Sequence, residues 1–424
     1  MCAAELDTEA PGQVTGRQLH FVIVGAGLGG LTAAIALRRA GQRVTVLEQS
    51  QLAREHGAAI GVPPNANGLL HHLGIDPAAA GAVELKLVTG YDKSGESVAQ
   101  PDMSTLSRGW QHPYLLAHRV DLHSQLKSAA TSRDGVGTPV DLRTNSRVVT
   151  VDPEAATVTL VDGRSIAADV VIGADGVHSV TRRALTAVTP YPSGKSAYRF
   201  LLRRSDALRD PIVRATLNHE GEFVFWFDSD RRVVLYPTRN NEIWNLVCIH
   251  PDRQWDEEED VWNKSGLLED LLSAYDGFDE CALALMRLAD ETTLKIWRLM
   301  DMDPVPAWCS QRLTLLGDAA HPFLPYQGQG GAQAMEDAVS LGILFPVGVN
   351  CSEIVPRLLL YQECRKARAE KVQELTRIAG DDTVSPTEEK LTTITTIQQY
   401  ICNYDERENS RQQLLQWMKA REAI

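Results

Sequence analysis

"LHFVIVGAGLGGLTAAIALRRAGQRVTVLEQS", residues 19–50, is the stretch on which the fold turns. An apolar run from about Leu19 breaks into glycines, an Ala-rich stretch of helical character leads to Gly41, and a second apolar run ends at Glu48. The order strand, helix, strand is a βαβ unit, the building block of an α/β protein. Within it "GAGLGG" sets Gly25, Gly27 and Gly30 in the G-x-G-x-x-G pattern. The first glycine permits the tight turn, the second lets the backbone approach a pyrophosphate, and the third lets the helix pack on the strand. Glu48 follows Gly25 by 23 positions, where an acid accepts both ribose hydroxyls of an adenosine. A glycine turn that binds nothing is the competing account, and the complete strand–turn–helix–acid context weighs against it.

Two later stretches repeat the theme of glycines at a strand end. "VIGADGVHS" puts Asp175-Gly176 after an apolar run ending at Ile172, free to meet a second phosphate-bearing group or to be a plain strand-to-helix turn. "LTLLGDAAHPFLPYQGQGGAQAMEDA", residues 313–338, lays a glycine-rich path from Gly317-Asp318 into a helix. The first N–H groups of a helix have no internal partner, so such a path favours something flat or anionic beside it. Arg119 in "LLAHRVDLHSQL" heads a helix, and spacing alone leaves it open between ligand contact and surface cation.

The rest of the chain bounds the answer. Its 424 residues suffice for two or three domain-sized units, and 44% hydrophobic content fills a core. A net charge of −13, with basic residues only in short scattered pairs, argues against nucleic acid and anionic membrane as partners. Seven cysteines form no CxxC pair and no metal-ligand spacing, so they read as free thiols of a reducing compartment, and no metal is expected. No apolar run approaches a membrane span, and the first 18 residues are too polar for a secretory signal, which points to a cytoplasmic protein with a disordered leader.

From about Ala187 to Met300 aromatic and β-branched residues dominate, as in "GEFVFWFDSD" and "RVVLYPTRNNEIWNLVCIHP", the pattern of a mostly antiparallel sheet with one covered face. The division predicted is a leader over 1–18, a first nucleotide-binding part over 19–186, a sheet domain over 187–300, a second nucleotide-binding part over 301–380, and a polar helical tail over 381–424. Tyr361, Arg365 and Arg368 fall on one face of the long helix predicted from "IVPRLLLYQECRKARAEKVQELTRIAG", as a packing and ion-pair seam.

"GAGLGG" with Glu48, "GADGVHS" and "GDAAHPFLPYQGQGG" together resemble, in order and spacing, the single-component FAD aromatic hydroxylases. The branch matched is the fungal salicylate-hydroxylase-like one, which also shows segments like "SGKSAYRFLL" and "YDERENS". The resemblance runs from about 19 to 375. It implies an α/β fold with a Rossmann-like FAD-binding domain, an inserted mostly antiparallel substrate domain and C-terminal helices. It implies a monooxygenase that uses NAD(P)H and O2 to hydroxylate an aromatic small molecule through a flavin hydroperoxide, as a monomer or homodimer. By resemblance Asp318 accepts from the ribityl chain, Gly328 to Gly331 run along the isoalloxazine, Gly61 and Arg119 contact FAD, and Asp175 lies near the pyrophosphate. His321 is implied to be structural. "GAAIG" carries Gly57-Ala58-Ala59 where relatives often have a second glycine, a departure in the local backbone path. Arg199 in "AYRFLL" and Tyr236 in "VVLYPT" match positions that hold a substrate as phenolate in related phenol hydroxylases; a salt-bridged arginine and a core ring are the alternative. An epoxidase acting on a neutral alkene or indole, and a non-catalytic FAD-binding protein, are the other classes the motifs admit. A Trp-x-Trp pair, the halogenase feature, does not occur.

Overall fold

The computed structural model describes residues 17–52, 59–252, 264–381 and 388–422. The expected leader, apart from Arg17 and Gln18, and the Gly57-Ala58 departure lie outside them.

The βαβ reading of the opening stretch holds: strand His20–Val24, helix Leu28–Arg39, strand Arg43–Leu47. Phe21, Ile23 and Val44 are buried against the mostly apolar helix, whose Leu31, Ala33, Ala34 and Leu37 are also buried. The two strands lie side by side in a six-stranded sheet ordered Cys309–Ser310, Leu313–Leu315, Val170–Gly173, His20–Val24, Arg43–Leu47, Asp141–Arg143. All its pairings are parallel except the Cys309–Ser310 edge. Thus the strands before "GAGLGG", "GADG" and "GDAA" are neighbours, and all three glycine turns emerge at one end of the sheet.

An eight-stranded sheet stands beside it, antiparallel except where Leu87–Asp92 runs parallel to Glu222–Phe227. Its strands are Lys264–Ser265, Lys295–Asp301, Tyr191–Arg203, Ile243–Pro251, Arg232–Thr238, Glu222–Phe227, Leu87–Asp92 and Ser97–Ala99, in that spatial order. Two of these strands come from the chain segment 19–186. Alternation sets the two faces. Tyr198, Phe200, Leu246, Leu235 and Trp226 pack under helices Leu268–Ala274 and Glu280–Arg287, while Ala197, Arg199, Val247, Val234 and Tyr236 face the glycine turns.

The long helix Ile354–Gly380 crosses helix Gly330–Leu344 and is covered by helices Glu388–Cys402 and Glu406–Glu422. Arg365, fully buried, lies within 2.7–2.8 Å of Glu336, Asp337 and Glu406, and Arg368 pairs with Glu336 at 2.7 Å. Tyr361 donates to the Leu315 carbonyl at 3.0 Å. The predicted seam is therefore an ion network that ties the C-terminal helices to the glycine-path helix. Among the described residues no helix is long and apolar enough to cross a membrane, and no group of His, Cys, Asp and Glu is placed to hold a metal.

Candidate active site

Gly25 follows the first strand at φ +105°, and a methyl group on it would collide with the Ala174 carbonyl. Only glycine fits there. A methyl group on Gly30 would strike the Gly25 carbonyl, so helix and turn touch backbone to backbone; one on Gly27 would meet nothing within 4 Å. The pattern divides as expected: two glycines for packing and one that leaves the backbone open. Glu48 stands at this turn, accepting from the Ala26 N–H at 2.9 Å through Oε2 and from the Ser50 N–H at 2.8 Å through Oε1. His123, which the motifs did not point to, braces the same turn from the other side, with Nε2 2.7 Å from the Ala26 carbonyl oxygen.

At the second turn the Asp175 carboxylate is taken by four donors. Ser179 and Thr181 hydroxyls lie at 2.6 Å from Oδ1, and the Val180 and Thr181 N–H groups at 2.7 and 3.0 Å from Oδ2. The side chain organises its own loop, leaving Gly176, at φ +76°, with nothing within 4 Å of its open side. Arg182, 2% exposed, donates to the Val177 carbonyl at 2.5 Å and to the Ala319 carbonyl at 3.1 Å. It thus ties "GADG" to "GDAA". In the sequence it is one member of an Arg-Arg pair, and no local signal marks the tie.

In the third stretch His321 Nε2 lies 2.7 Å from Asp337 Oδ2, which also accepts from the Gly317 N–H at 2.9 Å. The imidazole packs between Trp308 and Phe323, with ring centroids at 4.8 and 5.5 Å. His321 therefore builds the turn. Burial pushes the Asp337 carboxyl upward, but His321 and Arg365 outweigh it and hold the group below the usual carboxylate range. Asp318 is different. The residue is exposed, yet partial desolvation by the surrounding protein raises its carboxyl above the ordinary value, against the opposing charges of His321, Arg119 and Arg182. Gly328 turns the path at φ +62°, and helix Gly330–Leu344 begins two residues later.

Strand Ala59–Val62 lies along this path. A methyl group on Gly61 would come 2.6 Å from the Tyr114 hydroxyl, one on Gly328 3.0 Å from the same oxygen, and one on Gly331 2.8 Å from Ile60. Gly61 and Gly328, far apart in sequence, thus meet around Tyr114, a residue the sequence did not mark, while Gly331 meets Ile60 of the same strand as Gly61. Arg119 is the first residue of helix Arg119–Thr131, and its charge acts both on Asp318 and on Arg199.

Arg199 and Tyr236 share the inward face of the large sheet, two strands apart. The Arg199 guanidinium stacks over the Trp297 ring at 4.8 Å, and no described residue gives it a hydrogen bond or an ion pair. Burial, then the Arg119 charge, draws its pKa down, with Tyr236 acting the other way. Tyr236 stacks on Phe223 at 5.5 Å, and burial pushes its phenol far above the ordinary value, so it stays protonated. Its hydroxyl has no hydrogen-bond partner among the described residues. Beside it Asn245 accepts from the Ala59 N–H at 3.2 Å, while its buried Nδ2 finds no partner among the described residues.

Open backbone at Gly27 and Gly176, a carboxylate beside the first turn and a helix N-terminus at the end of the path are features that accommodate a dinucleotide carrying a flat ring. The family model described as FAD binding domain matches residues 18–376. Hispidin-3-hydroxylase of Neonothopanus nambi is 34% identical over 373 residues, 84% of this chain and 86% of its own. The 3-hydroxybenzoate 6-hydroxylase of Klebsiella oxytoca is 33% identical over 369 residues, 85% of this chain and 88% of its own. A solved salicylate hydroxylase substrate complex superposes with a TM-score of 0.77 at 25% identity, covering 93% of this chain and 98% of that one. With three turns in one place and matches of that extent, the chain belongs to the FAD-dependent monooxygenases and is an oxidoreductase of the aromatic hydroxylase fold.

Proposed function

We propose that this enzyme hydroxylates a phenolic or carboxylated aromatic molecule that it holds as an anion at Arg199. The observation that carries the reading is a guanidinium enclosed at the sheet face, kept in place by Trp297 stacking, with no anionic partner among the described residues. A charge that is largely desolvated without an ionic partner is costly, and an anionic ligand offsets that cost. Stacking fixes the cation without neutralising it.

FAD would be held by the Gly25 to Gly30 turn and Glu48 at its adenosine end, by the Asp175-shaped loop and Arg119 along its middle, and by Asp318, Gly61 and the Gly328 to Gly331 path at its ring end. When bound and reduced by NAD(P)H, the ring supplies the two electrons with which one oxygen atom of O2 enters the substrate and the other leaves as water. The protein's own part is positional and electrostatic. Arg199 lowers the pKa of a phenol beside it, so the ring is presented as the more nucleophilic phenolate. Tyr236, held protonated, donates from Oη to the same oxygen and orients the ring. The apolar packing of Tyr114, Leu116 and Tyr236 on one side, and of Ile249 and Tyr326 on the other, keeps water away.

On this reading residues 19–186 and 301–380 make the flavin-binding unit and 187–300 the unit that covers it, with Leu87–Ala99 joining the second. The cytoplasm is the compartment proposed, consistent with free cysteines at Cys248, Cys281, Cys309, Cys351, Cys364 and Cys402. The deciding measurement is hydroxylated product formed per NAD(P)H consumed, across a panel of salicylates, resorcinols and indoles. Phenols should stimulate NAD(P)H oxidation with product close to stoichiometric, and Arg199→Ala should bind FAD yet divert most reducing equivalents to hydrogen peroxide. Turnover of neutral alkenes or indoles alone, unaffected by Arg199→Ala, would replace the hydroxylase with the epoxidase.

A further inference from the structure

Arg199, Val247, Val234 and Phe225 are register partners on four adjacent strands, side by side on the inward face, and all four are partly accessible. The rows flanking them are closed at Ala197, Ile249, Asn245 and Tyr236, while Leu201, Arg232 and Phe227 in the same rows are partly accessible. On one side Ala197 and Ile249 are buried in a cluster with Leu324 and Tyr326 of the glycine path. On the other, Tyr236 is buried with Leu116, Ala59 and Tyr114. An accessible row bounded by these buried contacts is a trough that crosses the strands, walled on both sides at the Val247 strand and on one side at its neighbours. At about 4.8 Å per strand spacing, three spacings give it a length of about 14 Å, more than one aromatic ring occupies.

The chemistry along the trough is graded. Its first position is the cation, and the next three are apolar. The far end is kept low by Gly90: a methyl group there would lie 2.5 Å from the Phe225 ring, so the ring rests across a strand that has no side chain at that point.

We propose that the trough takes an elongated amphiphilic substrate, with the anionic ring group at Arg199 and an apolar body reaching over Val247 and Val234 toward Phe225. The proposal rests on Arg199 as the anion-binding residue and adds the size and polarity of the body attached to the anionic ring. Each methylene moved from water onto an apolar wall tightens binding about fourfold.

The test uses FAD-loaded protein titrated with salicylates bearing unbranched alkyl chains of increasing length opposite the carboxylate, with Kd read from the flavin absorbance change. Affinity should rise about three- to fourfold per methylene and then level off once the chain reaches the end of the trough. Val234→Asp, or the milder Val234→Thr if the first loses flavin, should flatten that slope. A Kd that is constant or weakens from the first methylene onward, while Arg199→Ala still weakens the parent salicylate, overturns the elongated substrate and leaves the anion site standing. No effect of Arg199→Ala on the parent salicylate overturns the anion site itself.

Discussion

Asp318 shows how a single residue can be set against the fold that carries it. Partial desolvation raises the folded-state pKa of this exposed residue above the ordinary 3.8, so the folded protein binds its proton somewhat more tightly than the unfolded chain does, an effect that solvent screening keeps small. The cost to stability is therefore absent below the ordinary value, grows as pH rises through the window up to the raised one, and is fully present above it. Asp318→Asn should accordingly raise the melting temperature of flavin-free protein at neutral pH and leave it unchanged at strongly acidic pH. If Asp318 accepts from the ribityl chain, as proposed, the same variant should retain less FAD, because a neutral amide oxygen is a weaker acceptor than a carboxylate. A melting temperature that falls at neutral pH would mean the carboxylate stabilises the fold. Glu48→Ala is the counterpart at the first turn: if Glu48 holds the ribose, as proposed, flavin content after gel filtration should drop while loss of the Ala26 and Ser50 contacts changes the melting temperature of the flavin-free protein little.

Between elements the strongest tie is the buried ion network joining helices Gly330–Leu344, Ile354–Gly380 and Glu406–Glu422. Removing one partner leaves the others buried and uncompensated, so Arg365→Ala should cost about 3–5 kcal/mol by denaturant titration. Asp337 has a folded pKa held below its ordinary value, so the stability it contributes is present above that value and is lost as pH falls through the depressed one. Without Arg365 the carboxyl rises, and acid unfolding should begin at higher pH than in wild type. His321→Ala, which empties a ring-sized space between Trp308 and Phe323, should cost on the order of 3 kcal/mol yet keep turnover per bound flavin. Full stability with lost turnover would make His321 a catalytic group.

Legibility at this scale differs by the range of the signal. "GAGLGG", "GDAAHP" and the Tyr361, Arg365, Arg368 spacing are local patterns, and each element they predict is present. The partners that complete them are not local. Arg182 meets Ala319 and Arg365 meets Glu406 across long stretches of chain, and no period links such pairs. Leu87–Asp92 joins the large sheet for the same reason: its alternation announces a strand, while its neighbour is chosen by packing against Glu222–Phe227. Likewise the strand pattern puts Arg199 and Tyr236 on sheet strands, but which face turns inward, and that Trp297 lies under Arg199, depends on tertiary contacts.

For the whole molecule the surface field opposes the site. A net charge of −13 repels an anionic aromatic at long range, whereas Arg199 attracts it only once it is inside. Screening separates the two effects, since the Debye length is about 10 Å at 0.1 M ionic strength and an enclosed pair is screened much less than surface charges. Raising salt from very low ionic strength should therefore speed association of a salicylate-type anion with the FAD-loaded enzyme and leave dissociation nearly constant, so that its Kd falls. A neutral ligand of the same size should show neither change. Stopped-flow absorbance without nicotinamide cofactor resolves the two rates and avoids the cofactor's own charge. An association rate that drops with salt would mean that a local cationic approach, centred on Arg119 and Arg199, overrides the net charge. The entrance would then steer the substrate and not merely admit it.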